Sequence, residues 1–472
     1  MADALHKPIE PGTHVLVVGL GKTGLAALHF FAGLGARVSI SDAGPANSIP
    51  HGVAENVAET GGILETGRHS TDLFTAVDLV VVSPGVPLDL EPLQAARARN
   101  IPVIGELAVA AVYLKSPVVA VTGTNGKTTV TTMLGDIFKN AGKKVFVGGN
   151  IGTPIFDYLA GPQDADIVVL EISSFQIDTG GGRDGFRPTI GLLLNITPDH
   201  LDRYESFQEY VSSKFSLFAA QRPEDTAIMN SDDPIIMDNQ ELWPTGNCYF
   251  VGGSKGRPGA LLQDDRIILH DIFKNASQNA DPEEYDLSAT ELGRSPYLEN
   301  SAAAMLAARL MGISGQDIMN GIGKFVPLSH RLTLVAEIRG VTYYDDSKAT
   351  NIGAVRSALA GMQQPVILIA GGRDKGGGYD MLTELVREKV KTVLLIGEAA
   401  DAMRQAFASL TMTEKAADLV AAVNRAAQLA VAGDAVLLSP ACASFDMFTS
   451  YAHRGDVFRS AVQDLKEREQ DN

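Results

Sequence analysis

The chain has 472 residues, of which 45% are hydrophobic and 20% are charged. At about 150 residues per domain, that length predicts roughly three domains, each able to bury its own core. The net charge of −17, from 56 acidic and 39 basic residues, argues against a nucleic-acid partner. Only two cysteines occur, Cys248 and Cys442, and they are far apart in the sequence, which fits a reducing cytoplasm. There is no signal-peptide pattern and no run of about 18 apolar residues, so we expect a cytoplasmic protein with no membrane insertion.

Short β-branched runs alternate with Ala- and Leu-rich helical stretches along almost the whole chain, which predicts repeated βα units and parallel sheets. We predict strands over 15–18, 37–40, 79–82, 118–121, 167–170, 190–194, 366–370, 393–396 and 435–438. The predicted fold class is α/β in three domains: a Rossmann-like domain over 1–110, a central P-loop-type ATPase domain with a parallel sheet over 111–327, and a Rossmann-like domain over 328–472. The segment 252–294 is rich in Gly, Asp and Asn, and we expect it to be an irregular surface excursion.

The first predicted strand runs into G-x-G-x-x-G over 19–24, directly before a helix. Glycines at this spacing let a pyrophosphate approach the helix N-terminus, and Asp42, after the second strand, could accept a hydrogen bond from a ribose or a base edge. On this motif alone an NAD or FAD site is the favoured interpretation, and glycines that only let the helix pack on the sheet are the alternative. Ser83 and Gly85, after another strand, could add donors to the same crevice.

The next domain opens with a strand that runs into TGTNGKTT and then a helix. This is a shortened phosphate-binding loop, in which backbone amides cradle phosphate oxygens, Lys127 neutralises charge and Thr128 can hold magnesium. The alternative is a glycine-rich turn that happens to carry a lysine.

Three side chains further along this domain each have a functional and a structural interpretation. Glu171, in EISSFQ at a strand end, is placed to bind magnesium directly or through water, or it caps a helix. His200, in NITPDHLDRY, is taken alone more often a hydrogen-bonded structural residue. Lys214 lies in a helical stretch, where a lone lysine is almost always solvated.

Polar clusters follow three strands of the last domain. Arg331 opens the domain and can fork onto a phosphate, and Lys348 lies in DDSKATN. Lys375 lies in GGRDKGGG, and Ser444 and Phe445 lie in SPACASFD. DDSKATN alone is best explained as a turn with an exposed lysine, but three clusters at the strand ends of one sheet indicate a site for a small anion.

Six motifs, GTNGKTT, EISSFQ, NITPDHLDRY, HR, DDSKATN and SPACASFD, occur in order and together resemble the Mur ligases over nearly the whole chain. The first four are also similar to folylpolyglutamate synthetase. The last two resemble the branch of the family that adds D-glutamate.

The resemblance implies a role for each motif residue. The UDP-linked substrate would be bound by Gly21, Lys22, Thr23, Asp42, Ser83, Gly85 and Asn150. ATP would be bound by Gly123, Thr124, Asn125, Gly126, Lys127, Thr128, Thr129, Asn300, Arg331 and Asp346. D-glutamate would be bound by Thr350, Lys375, Ser444, Phe445 and Tyr451. The implied metal ligands, for two Mg²⁺ ions, are Thr128, Glu171, His200 and Lys214 as an N-carbamate. The implied catalytic residues are Lys127, Glu171, His200, Lys214 and Lys348.

The implied reaction is the ATP-dependent joining of D-glutamate to UDP-N-acetylmuramoyl-L-alanine through an acyl phosphate. It belongs to peptidoglycan precursor synthesis and hence to cell-wall biogenesis, cell shape and cell division, and we expect a monomeric enzyme. Two departures stand out: Ala43 and Gly44 replace a Thr-Arg pair that often follows Asp42, and Tyr297 replaces an asparagine that often accompanies Asn300. The alternatives are another Mur-type or folylpolyglutamate-type ligase, an NAD-dependent oxidoreductase, and an ATP-binding regulatory module.

Overall fold

A computed structural model describes residues 7–180, 185–200, 203–253, 256–272, 281–374, 376 and 378–470. Over these residues the chain forms three sheets in sequence order, each flanked by helices. This confirms the predicted α/β class. Within the same residues no helix has both the length and the apolar character needed to cross a membrane.

The first sheet is wholly parallel, with strand order β3-β2-β1-β4-β5. Its strands are β1 (His14–Val18), β2 (Arg37–Asp42), β3 (Leu64–Thr66), β4 (Leu79–Val82) and β5 (Val103–Ile104). Its helices are α1 (Lys22–Gly33), α2 (Val53–Glu59), α3 (Thr71–Phe74), α4 (Glu91–Ala98) and α5 (Glu106–Tyr113). The order reverses at β1, so the G-x-G-x-x-G segment between β1 and α1 opens at the point where such sheets bind ligands.

The second sheet has nine strands in the order β14-β13-β12-β11-β10-β9-β6-β8-β7. Its strands are β6 (Val118–Thr122), β7 (Val145–Gly149), β8 (Ile167–Glu171), β9 (Ile190–Leu193), β10 (Thr226–Asn230), β11 (Asn247–Gly252), β12 (Gly259–Gln263), β13 (Arg266–His270) and β14 (Glu283–Asp286). Its helices are α6 (Lys127–Asn140), α7 (Ile155–Ala160), α8 (Ser174–Asp178), α9 (Phe207–Phe215), α10 (Pro234–Asp238), α11 (Tyr297–Leu310) and α12 (Gly315–Ile322). Strand β6, which leads to the glycine-rich loop, lies between β8 and β9 and is parallel to both.

The third sheet has the order β15-β16-β20-β17-β18-β19 and is parallel except for the β15–β16 pair. Its strands are β15 (Thr333–Ile338), β16 (Val341–Asp345), β17 (Val366–Gly371), β18 (Val390–Ile396), β19 (Met412–Lys415) and β20 (Ala435–Leu438). Its helices are α13 (Ile352–Gly361), α14 (Thr383–Lys389), α15 (Ala400–Phe407), α16 (Leu419–Leu429) and α17 (Tyr451–Gln470).

Every predicted strand falls on an observed one, but the expectation for 252–294 is wrong. Within that segment β12, β13 and β14 extend the second sheet, with β13 antiparallel to both neighbours. The residues that suggested a loop include those of the tight turn between β12 and β13, where Asp264 has a φ of +52°. Aspartate tolerates this left-handed conformation, so a polar turn here marks a hairpin.

One apolar core joins the first and second sheets. It contains Val17 of β1, Phe31 of α1, Leu107 of α5, Phe156 of α7 and Leu170 of β8, each almost fully buried. Helix α5 therefore packs in a core to which elements of both sheets contribute.

Candidate functional site

The glycine-rich loop between β6 and α6 is built as a phosphate cradle. Gly123 and Gly126 have φ values of +147° and +84°, a region that costs glycine little. Helix α6 begins at Lys127, so its unpaired amides face the loop. The Lys127 amine donates to the carbonyls of Gly123 and Thr124, at 2.8 Å each. Burial lowers the pKa of Lys127, while Glu171 acts to raise it, so an anion at the loop would meet a cation that is short of solvent.

Strand β8 brings Glu171 beside this loop, since Glu171 is paired in register with Val121 of β6. The Glu171 side chain is 2% exposed, and its Oε1 accepts a hydrogen bond from Asn150 Nδ2 at 2.8 Å. Its Oε2 is buried and has no hydrogen-bond partner within the described residues. The structure therefore places Glu171 and Asn150 together, next to the loop.

Helix α9 places Lys214 beneath the loop. The side chain is 1% exposed, and its amine donates to the Gly123 carbonyl at 3.0 Å and lies 4.6 Å from the centre of the Tyr210 ring. Burial lowers the pKa of Lys214 well below its usual value, and nearby Lys127 lowers it further. Lys214 is therefore a buried residue, and the expectation of a solvated lysine at this position is wrong.

His200 lies on the loop after β9, in the left-handed backbone region with a φ of +57°. Its ring is 4.8 Å from the Phe175 ring, and its Nε2 is 3.8 Å from Asp199 Oδ2. His200 also lines a small cavity of about 50 Å³ together with Asn351 and Tyr379 of the third domain. It therefore lies at the junction of the second and third domains.

A larger cavity of about 390 Å³ continues from the glycine-rich loop toward the ends of β9, β10 and β11. Its walls include the ATP-site candidates Asn300, Arg331 and Asp346. Burial raises the pKa of Asp346 to about 7, opposed by hydrogen bonds from the Ser439 hydroxyl and the Leu332 amide. The position of this cavity suits the ribose and base of a nucleotide whose phosphates occupy the loop.

Two side chains of the third domain touch the glycine-rich loop directly. Arg331 Nη2 donates to Thr128 Oγ1 at 2.8 Å. Asn351 Nδ2 donates to Asn125 Oδ1 at 3.1 Å and to Asp199 Oδ2 at 3.0 Å, while Asn351 Oδ1 accepts from Asn125 Nδ2 at 3.2 Å. The second and third domains are thus closed against each other at the loop.

Of the D-glutamate candidates, Tyr451 begins α17 and lies beside the loop that follows β16. The Lys348 amine lies 3.8 Å from the centre of the Tyr451 ring, and Ser347 Oγ donates to the Tyr451 carbonyl at 2.8 Å. Ser444 is buried, whereas Phe445 is 65% exposed. Thr350 is half-buried in the same loop as Lys348. Lys375 lies outside the described residues.

The UDP-site candidates surround the turn after β1. Asp42 accepts backbone hydrogen bonds from Leu20 at 2.6 Å and from Gly44 at 2.7 Å. Its carboxylate therefore stabilises the turn at which it is predicted to bind a ligand. Gly24 packs so closely that a Cβ there would lie 1.9 Å from the Gly19 carbonyl oxygen. Gly21 and Lys22, at the start of α1, are exposed, and Thr23 is half-buried.

Ser83 and Gly85 complete this side. Ser83 Oγ donates to the Gly19 carbonyl at 2.9 Å, and the Gly85 carbonyl accepts from Arg203 Nη2 at 2.8 Å. Arg203 belongs to the second domain, and its guanidinium lies 4.6 Å from the Phe175 ring. This contact joins the candidate UDP crevice to the loop that carries His200.

Three family models match the chain in order: Mur ligase MurD-like, N-terminal domain, over 13–105; Mur ligase middle domain, over 121–308; and Mur ligase, glutamate ligase domain, over 330–442. A UDP-N-acetylmuramoylalanine–D-glutamate ligase of Desulfosudis oleivorans is 43% identical over 98% of this chain and 98% of its own. A protein of the same name from Syntrophotalea carbinolica is 42% identical over 96% of this chain and 98% of its own. This chain belongs to the Mur ligase family.

Solved structures show the same fold at lower sequence identity. A pseudomurein peptide ligase type C from Methanothermus fervidus has a TM-score of 0.59 and 18% identity, covering 96% of this Mur ligase and 100% of the other chain. A MurF ligase from Thermotoga maritima has a TM-score of 0.56 and 18% identity, covering 97% and 96% of the two chains. The three-domain fold predicted from the sequence is therefore confirmed.

The residues of this Mur ligase fit a magnesium ion bound chiefly through a nucleotide. A buried carboxylate oxygen without a donor, as at Glu171 Oε2, is stabilised by a cation. Magnesium keeps several waters and uses one or two carboxylates plus substrate phosphates. The described residues hold no group of three or more His, Cys, Asp or Glu side chains that could bind a metal by themselves. Thr128, Glu171, His200 and Lys214 stay the predicted ligands.

Two residues important to the Mur ligase site were not singled out from the sequence. Asn351 ends DDSKATN, and its bonds to the glycine-rich loop depend on a residue 226 positions away. Arg454 is fully buried and donates to Ser347 Oγ at 3.0 Å and to the Cys442 carbonyl at 3.1 Å, which holds the loops of DDSKATN and SPACASFD together. Asn351 carried a signal, because it lies within a recognised motif, whereas Arg454 lies beyond every motif.

Proposed function

We propose that this Mur ligase joins D-glutamate to UDP-N-acetylmuramoyl-L-alanine, with cleavage of ATP to ADP and phosphate, as a monomer in the cytoplasm. The observation that carries the proposal is the contact of Arg331 and Asn351 with the glycine-rich loop. This contact supports the proposal, because an enzyme that transfers a phosphoryl group and then an acyl group needs its γ-phosphate site next to its amino-acid site. The curated relatives at 43% and 42% identity bear the name of this reaction.

The first step activates a carboxylate. A carboxylate oxygen of the alanyl group attacks the γ-phosphorus of ATP, the bond to the β-phosphate oxygen breaks, and ADP leaves. Two anions meet, so cationic charge is the main requirement, and Lys127 at the loop and Arg331 beside Thr128 supply it. Magnesium, when bound, would neutralise further phosphate charge.

The second step forms the amide. The neutral D-glutamate nitrogen attacks the acyl carbon, the tetrahedral intermediate expels phosphate, and the proton lost by the nitrogen passes to the expelled phosphate. Lys348, over the Tyr451 ring, is positioned among the amino-acid candidates to stabilise negative charge there. The contact of the second and third domains at the loop would limit the access of water, which would otherwise hydrolyse the acyl phosphate.

We further propose that two magnesium ions act in this site, and that Lys214 serves one of them as an N-carbamate. The support is the burial of Lys214 beside the loop and the open Oε2 of Glu171. The pyrophosphate and uridine of the nucleotide sugar would lie at the turn after β1, with Lys22 and Thr23 at the start of α1.

Phosphate release tests the proposed reaction directly. With ATP, Mg²⁺ and UDP-N-acetylmuramoyl-L-alanine, we expect sustained phosphate release only when D-glutamate is added. A panel of other amino acids and a folate acceptor serves as the control. Equal turnover with another amino acid would identify a different ligase, and ATP binding without acceptor-dependent phosphate release would leave only a binding module.

The amino-acid site is tested by Lys348→Ala, Lys375→Ala and Ser444→Ala. Each should raise the KM for D-glutamate about 10- to 100-fold, because a lost hydrogen bond to a charged group costs about 1.5–3 kcal/mol. The KM for the UDP-linked substrate should change little. Lys415→Ala is the matched control, because Lys415 lies on the outer strand β19 and forms an exposed ion pair with Asp401 of α15. Unchanged D-glutamate kinetics in all three variants would remove the third domain from amino-acid binding.

A further inference from the structure

A buried acid at the start of α5 has no part in the reaction above. Glu106 is 1% exposed, and its Oε1 accepts a hydrogen bond from Gln176 Nε2. Its Oε2 is buried without a hydrogen-bond partner within the described residues. Burial raises the pKa of Glu106 to about 7, and the bond from Gln176 opposes this shift. Burial of an ionisable group costs free energy, and the hydrogen bond from Gln176 offsets part of that cost.

Gln176 in turn holds the backbone that follows β8. Its Oε1 accepts from the Ser173 amide at 2.8 Å and from Ser173 Oγ at 3.1 Å, while Ser173 Oγ accepts from the Gln176 amide at 3.2 Å. This reciprocal capping box starts α8, and its N-cap Ser173 lies two residues beyond Glu171. The box works only if the Gln176 carbonyl oxygen, and not its amino group, faces Ser173.

Glu106 decides that orientation. Glu106 Oε1 accepts from the Gln176 amino group, which leaves the Gln176 carbonyl oxygen facing Ser173. A carboxyl group, unlike a carboxamide, offers no N–H donor that would favour the opposite orientation of Gln176. The contact is tight, since a Cβ on Gly105 would lie 2.2 Å from Thr179 Oγ1, just beyond the end of α8. Helix α8 is thereby seated on the turn between β5, the last strand of the first sheet, and α5.

We propose that Glu106 is a positioning residue that, through Gln176 and Ser173, fixes the turn carrying Glu171 in the geometry that binds magnesium. The inference rests on the proposed metal role of Glu171. It also gives the first domain a connection to the metal site, because β5 ends one residue before Gly105.

The test is a polarity swap. Glu106→Gln keeps the volume of the side chain but lets both amides rotate, so the orientation of Gln176 is lost. Glu106→Gln combined with Gln176→Glu restores a donor facing an acceptor, and a glutamate completes the capping box as well as a glutamine does. We expect the single variant to impair the site and the double variant to recover it.

Two measurements separate positioning from stability. In the protein without ligands, amide exchange across 171–178 should be faster in Glu106→Gln and normal in the double variant. The Mg²⁺ concentration for half-maximal activity should rise about 10- to 100-fold in the single variant, as for other residues that orient a metal ligand, and return in the double variant. A lowered melting temperature with unchanged exchange, or changed exchange with an unchanged magnesium requirement, would overturn the proposal.

Glu171→Gln distinguishes failure of this inference from failure of the function. If Glu171→Gln does not alter the magnesium requirement, the metal assignment of Glu171 falls and takes this inference with it. If Glu171→Gln does alter the requirement and Glu106→Gln does not, only the role of Glu106 is refuted.

Discussion

Lys127→Ala is expected to abolish turnover while the protein stays folded. The Lys127 amine donates to the carbonyls of Gly123 and Thr124, at the mouth of the phosphate cradle and at the first residue of α6. Loss of such a contact with the transferred phosphoryl group should cost at least about 3 kcal/mol of transition-state stabilisation, or more than about 100-fold in kcat/KM. Steady-state phosphate release measures the effect.

Lys139→Ala, at the exposed far end of the same helix, is the matched control and should behave like the wild type. The melting temperature of each variant shows whether the fold is kept. A folded Lys127→Ala enzyme with near-normal activity would contradict the assignment of the glycine-rich loop to ATP.

Lys214→Ala is expected to be nearly inactive and to regain part of its activity with acetate or another short carboxylic acid. An ammonium has three donors and no lone pair, so it cannot bind magnesium. A carbamate formed from carbon dioxide instead presents carboxylate oxygens, the ligands that magnesium takes. Its formation requires the neutral amine, and burial beside Lys127 lowers the pKa of Lys214 in the required direction.

Acetate would fill the space that the Lys214 side chain leaves, so the rescue should appear in Lys214→Ala and be absent in Lys127→Ala. Removal of carbon dioxide and bicarbonate from the buffer should lower the activity of the wild type and leave that of the rescued variant unchanged. High-resolution density should show additional atoms on the Lys214 amine. A fully active Lys214→Ala enzyme, with a bare amine in the wild type, would contradict the carbamate.

The sequence was a good guide wherever local pattern determines structure. Apolar β-branched runs such as 79–82 and 435–438 predicted strands with the observed bounds, and the loop at Lys127 lies at the predicted strand-to-helix junction. The pattern failed at 252–294, because short hairpin strands separated by polar turns resemble loops in composition. For Lys214 the periodicity gave the helix and could not give the burial, which depends on packing of α9 beneath a loop 91 residues earlier.

Contacts between segments that are brought together only by the folded chain were the least accessible to sequence reasoning. Asp42 stays a predicted ligand of the UDP-linked substrate, and the sequence could not show that each of its oxygens already accepts a hydrogen bond from a backbone amide. The bonds of Asn351 to Asn125 and Asp199 required the relative placement of two sheets, about which strand periodicity carries no information. Motif resemblance supplied candidate roles, and only the three-dimensional arrangement connected them.

The Gly123 carbonyl oxygen accepts hydrogen bonds from two lysines, Lys127 at 2.8 Å and Lys214 at 3.0 Å. Two ammonium groups on one oxygen repel each other, which favours the neutral form of the more buried Lys214. A triphosphate at the predicted site that drew Lys127 away would weaken this repulsion, so nucleotide occupancy and the protonation of Lys214 would depend on each other. Such linkage is reciprocal: if nucleotide changes the affinity of the Lys214 amine for carbon dioxide, carbon dioxide changes the affinity for nucleotide by the same factor. With the proposed carbamate on Lys214, a single backbone carbonyl would couple the binding of ATP to the binding of carbon dioxide.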